Sequence, residues 1–237
     1  MEKLIGKVIY GMKRFSRDFV RPISLSNKTK YFCIGRNKTG TTSLKRAFMD
    51  LGFIVGDQRT AERLLPYYTA KNYKPIFRYC RSAQVFQDIP FSLPNTYKHL
   101  SSKFPNSKFI LTVRDSPEQW YQSITKFHSK LFGDGNVPTE EHLKNAEYVY
   151  KGFMWEAQKA ICNSPNRGMY NKEALLESYR EYNSGVLKFF ENREEDLLVI
   201  NLSDGSSYQK LVDFLNVSSE YEGFLWENKT SEIKNKP

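Results

Sequence analysis

Short apolar runs alternate with longer amphipathic segments through most of the chain after residue 30. The apolar runs are rich in β-branched and aromatic residues, which is typical of buried strands. They predict strands at Tyr31–Ile34, Phe53–Val55, Ala83–Phe86, Lys108–Val113 and Leu197–Asn201. Each run is also too short to form a stable helix, so length and composition favour the same assignment.

In the amphipathic segments, apolar residues recur every three or four positions, the spacing of one helical face. They predict helices over Thr42–Leu51, Thr60–Ala70, Thr96–Phe104, Pro117 to about Lys130, about Thr139–Cys162, Lys172–Glu191 and Ser206–Leu215. Alternating strands and helices favour a three-layer α/β fold, in which helices cover both faces of a mostly parallel central sheet. Ligands bind such sheets beyond the carboxyl ends of the strands, so residues that directly follow a strand are candidates for a site.

The N-terminal part of the chain carries much of its positive charge. The protein has 36 lysines and arginines against 26 acidic residues, a net charge of +10, and residues 1–30 contain eight basic and two acidic residues. Their apolar positions fall on one helical stripe, opposite the basic ones. The pattern predicts a basic amphipathic arm over residues 1–29 and a single α/β domain over residues 30–237. Two interpretations of the arm stay open: its stripe packs on the domain or a partner, or residues 1–25 lie on an anionic membrane surface.

No segment of the sequence predicts a membrane span or a secretory leader. The apolar runs stay well short of the roughly 18 residues that a spanning helix needs, and Lys7 interrupts the apolar stretch near the N-terminus. The three scattered cysteines lack metal-ligand spacing, which favours free thiols in a reducing compartment. We therefore expect a cytoplasmic protein, with peripheral attachment to the inner membrane surface as the alternative. We expect no nucleic-acid partner, and the sequence does not define an oligomeric state.

The segment after the first predicted strand has the composition of a phosphate-binding loop. It reads Gly35-Arg-Asn-Lys-Thr-Gly40-Thr-Thr-Ser43 and leads into a predicted helix, so its two glycines have the spacing of a P-loop. Glycine lets a backbone approach a phosphate closely, and the N-terminus of the following helix offers N–H donors and a partial positive charge. The sequence therefore predicts a phosphate group bound at this loop.

The position of its lysine separates this loop from those of ATP- and GTP-hydrolysing proteins. Those loops have lysine directly after the second glycine, followed by a serine or threonine that binds Mg²⁺. Here Thr41 follows Gly40, and the lysine is Lys38, inside the loop. Magnesium-dependent phosphoryl transfer is disfavoured, although a small-molecule or nucleotide kinase stays open as an alternative. A non-enzymatic protein that binds membrane surfaces or other anions through its basic arm is the second alternative.

The run from Lys38 to Ser43 resembles the 5′-phosphosulfate loop of the sulfotransferase family. The resemblance implies a P-loop-like fold and transfer of a sulfuryl group from 3′-phosphoadenosine 5′-phosphosulfate (PAPS) to a hydroxyl group. The nucleotide product is then adenosine 3′,5′-bisphosphate (PAP), and no metal is needed. It also implies that Lys38 is catalytic, because the lysine reaches the leaving phosphate oxygen. The donor-binding residues that it implies in the loop are Arg36, Lys38, Thr39, Gly40, Thr41, Thr42 and Ser43.

A second segment resembles the part of the family that binds the 3′-phosphate of the donor. After the strand Lys108–Val113 comes Arg114, and Ser123 follows on the next predicted helix. Family members carry an arginine and a serine at comparable places, although their spacing is most often one residue shorter. The resemblance therefore implies that Arg114 and Ser123 bind the 3′-phosphate. An arginine fork suits that role because it makes paired, charge-assisted hydrogen bonds. The alternative for Arg114 is a surface salt bridge with Asp115 or Glu118.

The acceptor hydroxyl loses its proton as it attacks sulfur, so a nearby base assists the reaction. Many family members use a histidine at a strand end upstream of the 3′-phosphate arginine, and here Asp88 stands at that place. The resemblance implies that Asp88 is the general base, with a turn cap before Pro90 as its alternative role. The three histidines are expected on the surface: His99, His128 and His142.

The sequence says least about the acceptor. We expect the tyrosine-rich helical region of residues 139–191 to build its pocket, with Tyr148, Tyr150, Tyr170, Tyr179 and Tyr182. Aromatic faces bind sugars and phenols alike, so carbohydrate, lipid headgroup and small alcohol all stay open. Near the C-terminus, Asn228 and Lys229 lie in a stretch similar to one in the family and are further candidates for contact with the nucleotide.

Overall fold

The structure is a computed structural model that describes residue 25 and residues 28–162 and 168–225. Within that part of the chain, four strands form one sheet: β1 (Tyr31–Cys33), β2 (Val85–Gln87), β3 (Lys108–Thr112) and β4 (Leu197–Ile200). Their order is β2-β1-β3-β4, and every neighbouring pair is parallel. The predicted parallel sheet is therefore confirmed.

Helices connect the strands and extend the domain beyond the sheet. They are α1 (Thr41–Asp50), α2 (Gln58–Glu62), α3 (Leu65–Thr69), α4 (Lys74–Tyr79), α5 (Thr96–Lys103), α6 (Pro117–Phe132), α7 (Glu140–Asn145), α8 (Phe153–Ile161), α9 (Lys172–Phe190) and α10 (Ser207–Leu215). A short 3-10 turn, Glu194–Asp196, precedes β4.

The sheet buries apolar side chains on both faces because successive residues of a strand point to opposite sides. One face, with Phe32 and Phe109, packs against α5 and α9. The other face, with Cys33 and Ile110, packs against α1 and α10. The three-layer α/β architecture is therefore confirmed, and it explains why the central strands read as continuous apolar runs. A third apolar cluster lies beside the sheet, between α6, α8 and α9.

The predicted strand Phe53–Val55 is wrong. Only Val55 pairs, in a single parallel bridge to Val85 of β2. The chain then leaves the sheet at Asp57, whose side chain accepts a hydrogen bond from the Thr60 N–H at 2.8 Å and caps α2. An N-cap so close to the apolar run leaves no length for a strand.

Two of the predicted helices are each divided in the structure, and α4 was not predicted. The helix predicted over Thr60–Ala70 is split into α2 and α3, and a proline lies in the first turn of both α3 and α4. Proline favours that position because its missing N–H has no partner there anyway. The helix predicted over Thr139–Cys162 is divided into α7 and α8, since Gly152 adopts a left-handed φ of 85° directly before α8.

The arm predicted over residues 1–29 lies almost wholly outside the described residues, as do Asn228 and Lys229. The domain boundary at residue 30 and the membrane role of residues 1–25 therefore stay predictions. Among the helices that the structure describes, none is long and apolar enough to cross a membrane.

The loop after β1 depends on the close approach of Gly35 to β3. A Cβ at residue 35 would lie 2.7 Å from both the backbone nitrogen and the carbonyl oxygen of Thr112. We expect Gly35→Ala to lower the free energy of unfolding by about 1–3 kcal/mol, as overpacking against backbone does. Urea denaturation of the variant and of the wild type measures this difference.

The matched control is Gly205→Ala, because nothing lies within 4 Å of a Cβ built at Gly205. We expect that control to stay within about 0.5 kcal/mol of the wild type. Equal stabilities of the two variants would show that the Gly35 contact does not constrain the loop.

Candidate active site

The loop between β1 and α1 lies at the point of the sheet where chain connections diverge. From β1 the chain passes to β2 on one side and then to β3 on the other. In a parallel sheet this switch point leaves a crevice at the carboxyl ends of the strands. The sequence Gly35–Gly40 fills one wall of that crevice and leads directly into α1.

Buried and partly buried side chains hold the loop by its carbonyl groups. The indole N–H of Trp120 donates to the Asn37 carbonyl at 3.0 Å, and Nε of Arg114 donates to the Lys38 carbonyl at 2.7 Å. The Thr39 hydroxyl donates to the Arg36 carbonyl at 2.6 Å. Three consecutive carbonyls are thus bound to protein groups, which fixes the backbone conformation of the loop.

The backbone of the loop also favours an anion. Lys38 and Gly40 adopt left-handed φ angles of 71° and 99°, and such residues beside right-handed ones form concave nests of N–H groups. Gly40 is the N-cap of α1, where no side chain supplies a cap hydrogen bond and no acidic residue occupies the first turn. The first N–H groups of a helix lack intrahelical partners, so this terminus attracts negative charge.

A cavity of about 590 Å³ opens beside the loop. Its wall brings together most of the predicted site residues, although they come from three separate places in the sequence. They are Lys38, Gly40, Thr41, Thr42, Ser43, Asp88 and Arg114. The cluster combines a loop, a helix N-terminus, two cations and a carboxyl, which suits an anionic ligand with a reactive end.

Three predicted residues are not part of the cavity wall. The Arg36 guanidinium is buried, donates to the Ser92 carbonyl at 3.2 Å and lies 4.0 Å from the centre of the Tyr182 ring. The Thr39 hydroxyl, also buried, lies 2.5 Å from that of Thr112. Both side chains support the loop from inside the protein.

Ser123 is the third of these residues. It lies on α6 with its side chain partly exposed. The cavity wall takes Ile124, Phe127 and His128 from this helix instead. The role of Ser123 in binding a 3′-phosphate stays a prediction.

Arg114 is placed to bind an anion. Its Nε is used by the Lys38 carbonyl, and no hydrogen bond joins either terminal nitrogen to another of the described residues. The predicted alternative, a surface salt bridge, is not formed there: Glu118 pairs with Arg180 at 3.2 Å, and Asp115 binds Asn201 and Gln119. Burial lowers the pKa of Arg114, yet guanidinium stays charged at any physiological pH.

Asp88 follows β2 and is 3 % exposed. Its two carboxyl oxygens accept hydrogen bonds from Asn37 at 3.2 Å and from Gln87 at 3.3 Å. Burial raises the pKa of Asp88 to about 6, although a hydrogen bond from Thr41 and the charges of Lys45 and Lys38 oppose the shift. The turn that contains Pro90 is closed by the Asp88 backbone carbonyl, which accepts a hydrogen bond from the Ser92 N–H, and not by the carboxyl.

Lys38 links the loop to α6. Its ammonium lies 3.9 Å from the centre of the Phe127 ring, within the range of a cation–π contact. Burial, followed by the charge of Arg114, lowers the pKa of Lys38 to about 8, although the charge of Asp88 opposes the shift. Lys38 therefore remains mostly protonated at neutral pH and is stabilised further by any anion that binds beside it.

The prediction that His128 is a surface residue is wrong, whereas His99 and His142 are exposed as expected. His128 is 6 % exposed, lines the cavity and lies with Nδ1 2.8 Å from the Tyr170 hydroxyl. Burial, followed by the charge of Lys38, lowers the pKa of His128 to about 3, so its ring is neutral. The sequence holds a signal for this position: Trp120, Ile124 and His128 recur every four residues on one face of α6.

Sequence reasoning also missed Glu62, Gln58 and Lys45, which line the cavity. Glu62 is buried, accepts a hydrogen bond from Gln58 at 3.0 Å and pairs with Arg59 at 3.0 Å. Burial raises the pKa of Glu62, against the opposing effects of these two partners. Gln58 and Glu62 lie in a mostly polar stretch, and Lys45 is a polar position of the amphipathic helix α1, so the sequence pattern does not mark these residues as part of a site.

Of the tyrosines predicted to build an acceptor pocket, Tyr148 lines the cavity and the other four do not. Tyr179 stacks on Trp120 with ring centres 4.6 Å apart. The Tyr182 hydroxyl donates to the Ile34 carbonyl at 2.7 Å. The Tyr150 hydroxyl donates a hydrogen bond to the Glu156 carboxyl. The Tyr170 hydroxyl forms a hydrogen bond with Nδ1 of His128. The predicted region does contribute to the cavity, but mainly through α8, with Tyr148 as its one tyrosine in the wall.

Among the described residues, no group of three or more His, Cys, Asp or Glu residues is placed to hold a metal ion. Cys33, Cys80 and Cys162 are buried free thiols.

The family of the chain follows from a comparison with known protein families. A family model described as a sulfotransferase domain matches residues 30–233, which include the loop, Asp88, Arg114 and all the cavity-lining residues. No curated protein matches the chain. Because the match covers most of the 237 residues, the chain belongs to the sulfotransferase domain family.

Proposed function

We propose that the protein transfers a sulfuryl group from PAPS to a hydroxyl group of an acceptor. The observation that carries the proposal is the loop with an interior lysine, Lys38, in one cavity with the Arg114 guanidinium and the Asp88 carboxyl. Membership of the sulfotransferase domain family supports the reaction class. The donor and the acceptor class are the parts that we propose.

The residues present fit such a donor. The uncapped N-terminus of α1 and the left-handed backbone at Lys38 and Gly40 suit its phosphosulfate end. The terminal nitrogens of Arg114 have no hydrogen-bond partner among the described residues. We propose that they bind the 3′-phosphate. Thr41, Thr42 and Ser43 add hydroxyl groups. Arg36 and Thr39 support the loop, and Ser123 is a further candidate for the 3′-phosphate.

The donor supplies a sulfur whose bond to the bridging phosphate oxygen breaks while a bond to the acceptor oxygen forms. Lys38 donates a hydrogen bond to the oxygen that takes the electron pair, and so stabilises charge that develops in the transition state. Asp88 takes the proton that the acceptor hydroxyl loses. No proton or electron is left unbalanced, because the leaving nucleotide keeps the electron pair and Asp88 keeps the proton.

Asp88 is better suited than Glu62 to act as the base. Its pKa of about 6 leaves it ionised at neutral pH yet close enough to that pH to accept a proton efficiently. It also interacts electrostatically with Lys38 and accepts a hydrogen bond from Thr41, two residues of the proposed donor site. Glu62 is held by Gln58 and Arg59 instead.

A thermal-shift comparison of ligands tests the proposed donor. We expect PAP to raise the melting temperature without added metal, because Arg114 and the loop provide a place for each of its phosphates. ATP with Mg²⁺ should raise it less, since Thr41 occupies the position of the P-loop lysine that binds nucleoside triphosphates. A larger shift with ATP and Mg²⁺ would favour a P-loop kinase and contradict the proposal.

Arg114→Ala tests recognition of the 3′-phosphate. Calorimetry should show that wild-type protein binds PAP more tightly than adenosine 5′-phosphate, and that the variant loses this preference. A charge-assisted bond contributes about 1.5–3 kcal/mol, so the preference should fall by about tenfold to a hundredfold. The ratio of the two affinities separates loss of 3′-phosphate binding from general damage to the loop, because both ligands need the loop equally.

Arg180→Ala is the matched control, because Arg180 is exposed and pairs with Glu118 away from the cavity. Its preference for PAP should equal that of the wild type. An unchanged preference in Arg114→Ala would remove Arg114 from the 3′-phosphate site and leave Ser123 as the candidate.

The pH profile of the acceptor reaction tests Asp88. A general base must be ionised, so kcat/KM should rise with pH up to the pKa of Asp88, about 6, and stay level until Lys38, with a pKa of about 8, loses its proton. Asp88→Asn should lose about a hundredfold to ten-thousandfold in kcat and should also lose this acidic limb. Stopped-assay rates over a pH series measure both effects.

Glu62→Gln is the comparison variant, because it removes the other buried carboxyl of the cavity. We expect it to keep the acidic limb. If Asp88→Asn retains the limb and Glu62→Gln loses it, then Glu62 is the base.

A further inference from the structure

The cavity continues past the Lys38–Phe127 contact into a region walled by α6 and α8. That region differs in character from the loop. Its lining is apolar, from Ile124, Phe132, Phe153, Met154, Ala157 and Ile161. Apolar surface of this kind gains little from a sugar, whose hydroxyl groups would lose water without finding partners.

The charges of the cavity are divided between its two ends. Its cations, Lys38, Lys45 and Arg114, all belong to the loop, to α1 or to the segment that follows β3. Among the described residues that line the rest of the cavity, none is a lysine or arginine, and His128 is neutral because burial lowers its pKa to about 3. Glu62 also lines the cavity, and its carboxyl already pairs with Arg59. Away from the loop, an anionic acceptor would therefore meet a carboxyl and no lysine or arginine of the cavity wall.

One buried side chain in the apolar wall keeps an unused hydrogen-bonding atom. Gln158 is 0 % exposed and lines the cavity from α8. Its amide nitrogen donates to the Met169 carbonyl at 2.8 Å, which fixes the orientation of the amide group. The side-chain oxygen has no hydrogen-bond partner among the described residues. A buried acceptor atom without a hydrogen-bond partner favours a ligand that carries a hydrogen-bond donor.

We propose that the acceptor is an uncharged, largely apolar alcohol or phenol. Its body lies between α6 and α8, and a second polar group on it donates a hydrogen bond to the Gln158 side-chain oxygen. This assignment rests on the proposed sulfuryl transfer and names the substrate class of the same site.

The reaction is balanced with such an acceptor. Its hydroxyl oxygen forms the new bond to sulfur, its proton passes to Asp88, and the bond from sulfur to the phosphate oxygen breaks with the electron pair left on PAP. The product is a sulfate monoester, which carries a negative charge. The sulfuryl group already carries this charge in PAPS, and the charge stays next to Lys38 and outside the apolar region, because the reacting hydroxyl is the group that reaches the loop.

A matched series of acceptors tests the substrate class. Transfer of radiolabelled sulfate from PAPS is measured with octanol, its terminal diol, ω-hydroxyoctanoate and methyl glucoside. We expect the diol to have the highest kcat/KM and octanol the next. The hydroxy acid and the glucoside should each be lower than octanol by roughly tenfold or more, since one adds a charge and the other lacks an apolar body.

Measuring PAP binding in parallel separates the two possible failures. If PAP does not bind, the proposed donor is wrong. If PAP binds and the glucoside or the hydroxy acid is the better acceptor, sulfuryl transfer stands and the acceptor class is overturned. PAP binding without transfer to octanol or its diol also overturns the acceptor class.

Gln158→Met tests the second polar contact, because methionine keeps the length of the side chain and removes the oxygen. The ratio of kcat/KM for the diol to that for octanol should fall by about threefold to tenfold, the effect of losing one hydrogen bond. PAP affinity reports whether the variant folds, since the donor end of the cavity lies elsewhere.

Gln209→Met provides the matched control, because Gln209 is an exposed glutamine on α10. It should keep the wild-type ratio. A Gln158→Met variant that binds PAP and keeps the wild-type ratio would contradict the proposed contact. If Gln158→Met does not bind PAP, the acceptor series on the wild type decides the proposal alone.

Discussion

The hydrogen bond from the buried Trp120 indole to the Asn37 carbonyl ties the loop to α6. Trp120 cannot shift easily, because it stacks on Tyr179 of α9, whose hydroxyl accepts the Arg114 backbone N–H at 3.1 Å. Arg114 in turn binds the Lys38 carbonyl. The conformation of the loop therefore depends on side chains from two helices and the end of β3, all of them supported by the core. Such preorganisation lets the site bind charge without first rearranging.

The same helix shapes both ends of the cavity. The first half of α6 holds the loop through Trp120, and its second half lines the apolar region with Ile124 and Phe127. Because the two groups share one rigid element, the distance between the proposed donor and acceptor is fixed by helix geometry rather than by a mobile segment. The ammonium of Lys38, seated on the Phe127 ring, marks the boundary between the two regions.

The sequence was most informative about features that a single local pattern of residues defines. Apolar runs located the four central strands, and the loop was evident from its glycines and its lysine. The roles that the sequence could not show depend on contacts between residues that are far apart along the chain. Glu62 occurs in a polar stretch, and Arg36 looks like a ligand for an anion until its packing on Tyr182 is seen. His128 was predictable from helical spacing, but the polar character of histidine favoured the surface. The division of the helices at residues 63–64 and 146–152 follows from local caps.

The lowered pKa of Lys38 has a consequence for how nucleotide binding responds to alkali. With a pKa of about 8, this amine is partly neutral in the free protein above that pH. A phosphate beside it favours the charged form and raises its pKa, so an anionic nucleotide that binds in alkaline solution takes up a proton with it. Proton uptake of this kind makes affinity fall as pH rises past 8, and a calorimeter would detect it as a heat that changes with the ionisation enthalpy of the buffer.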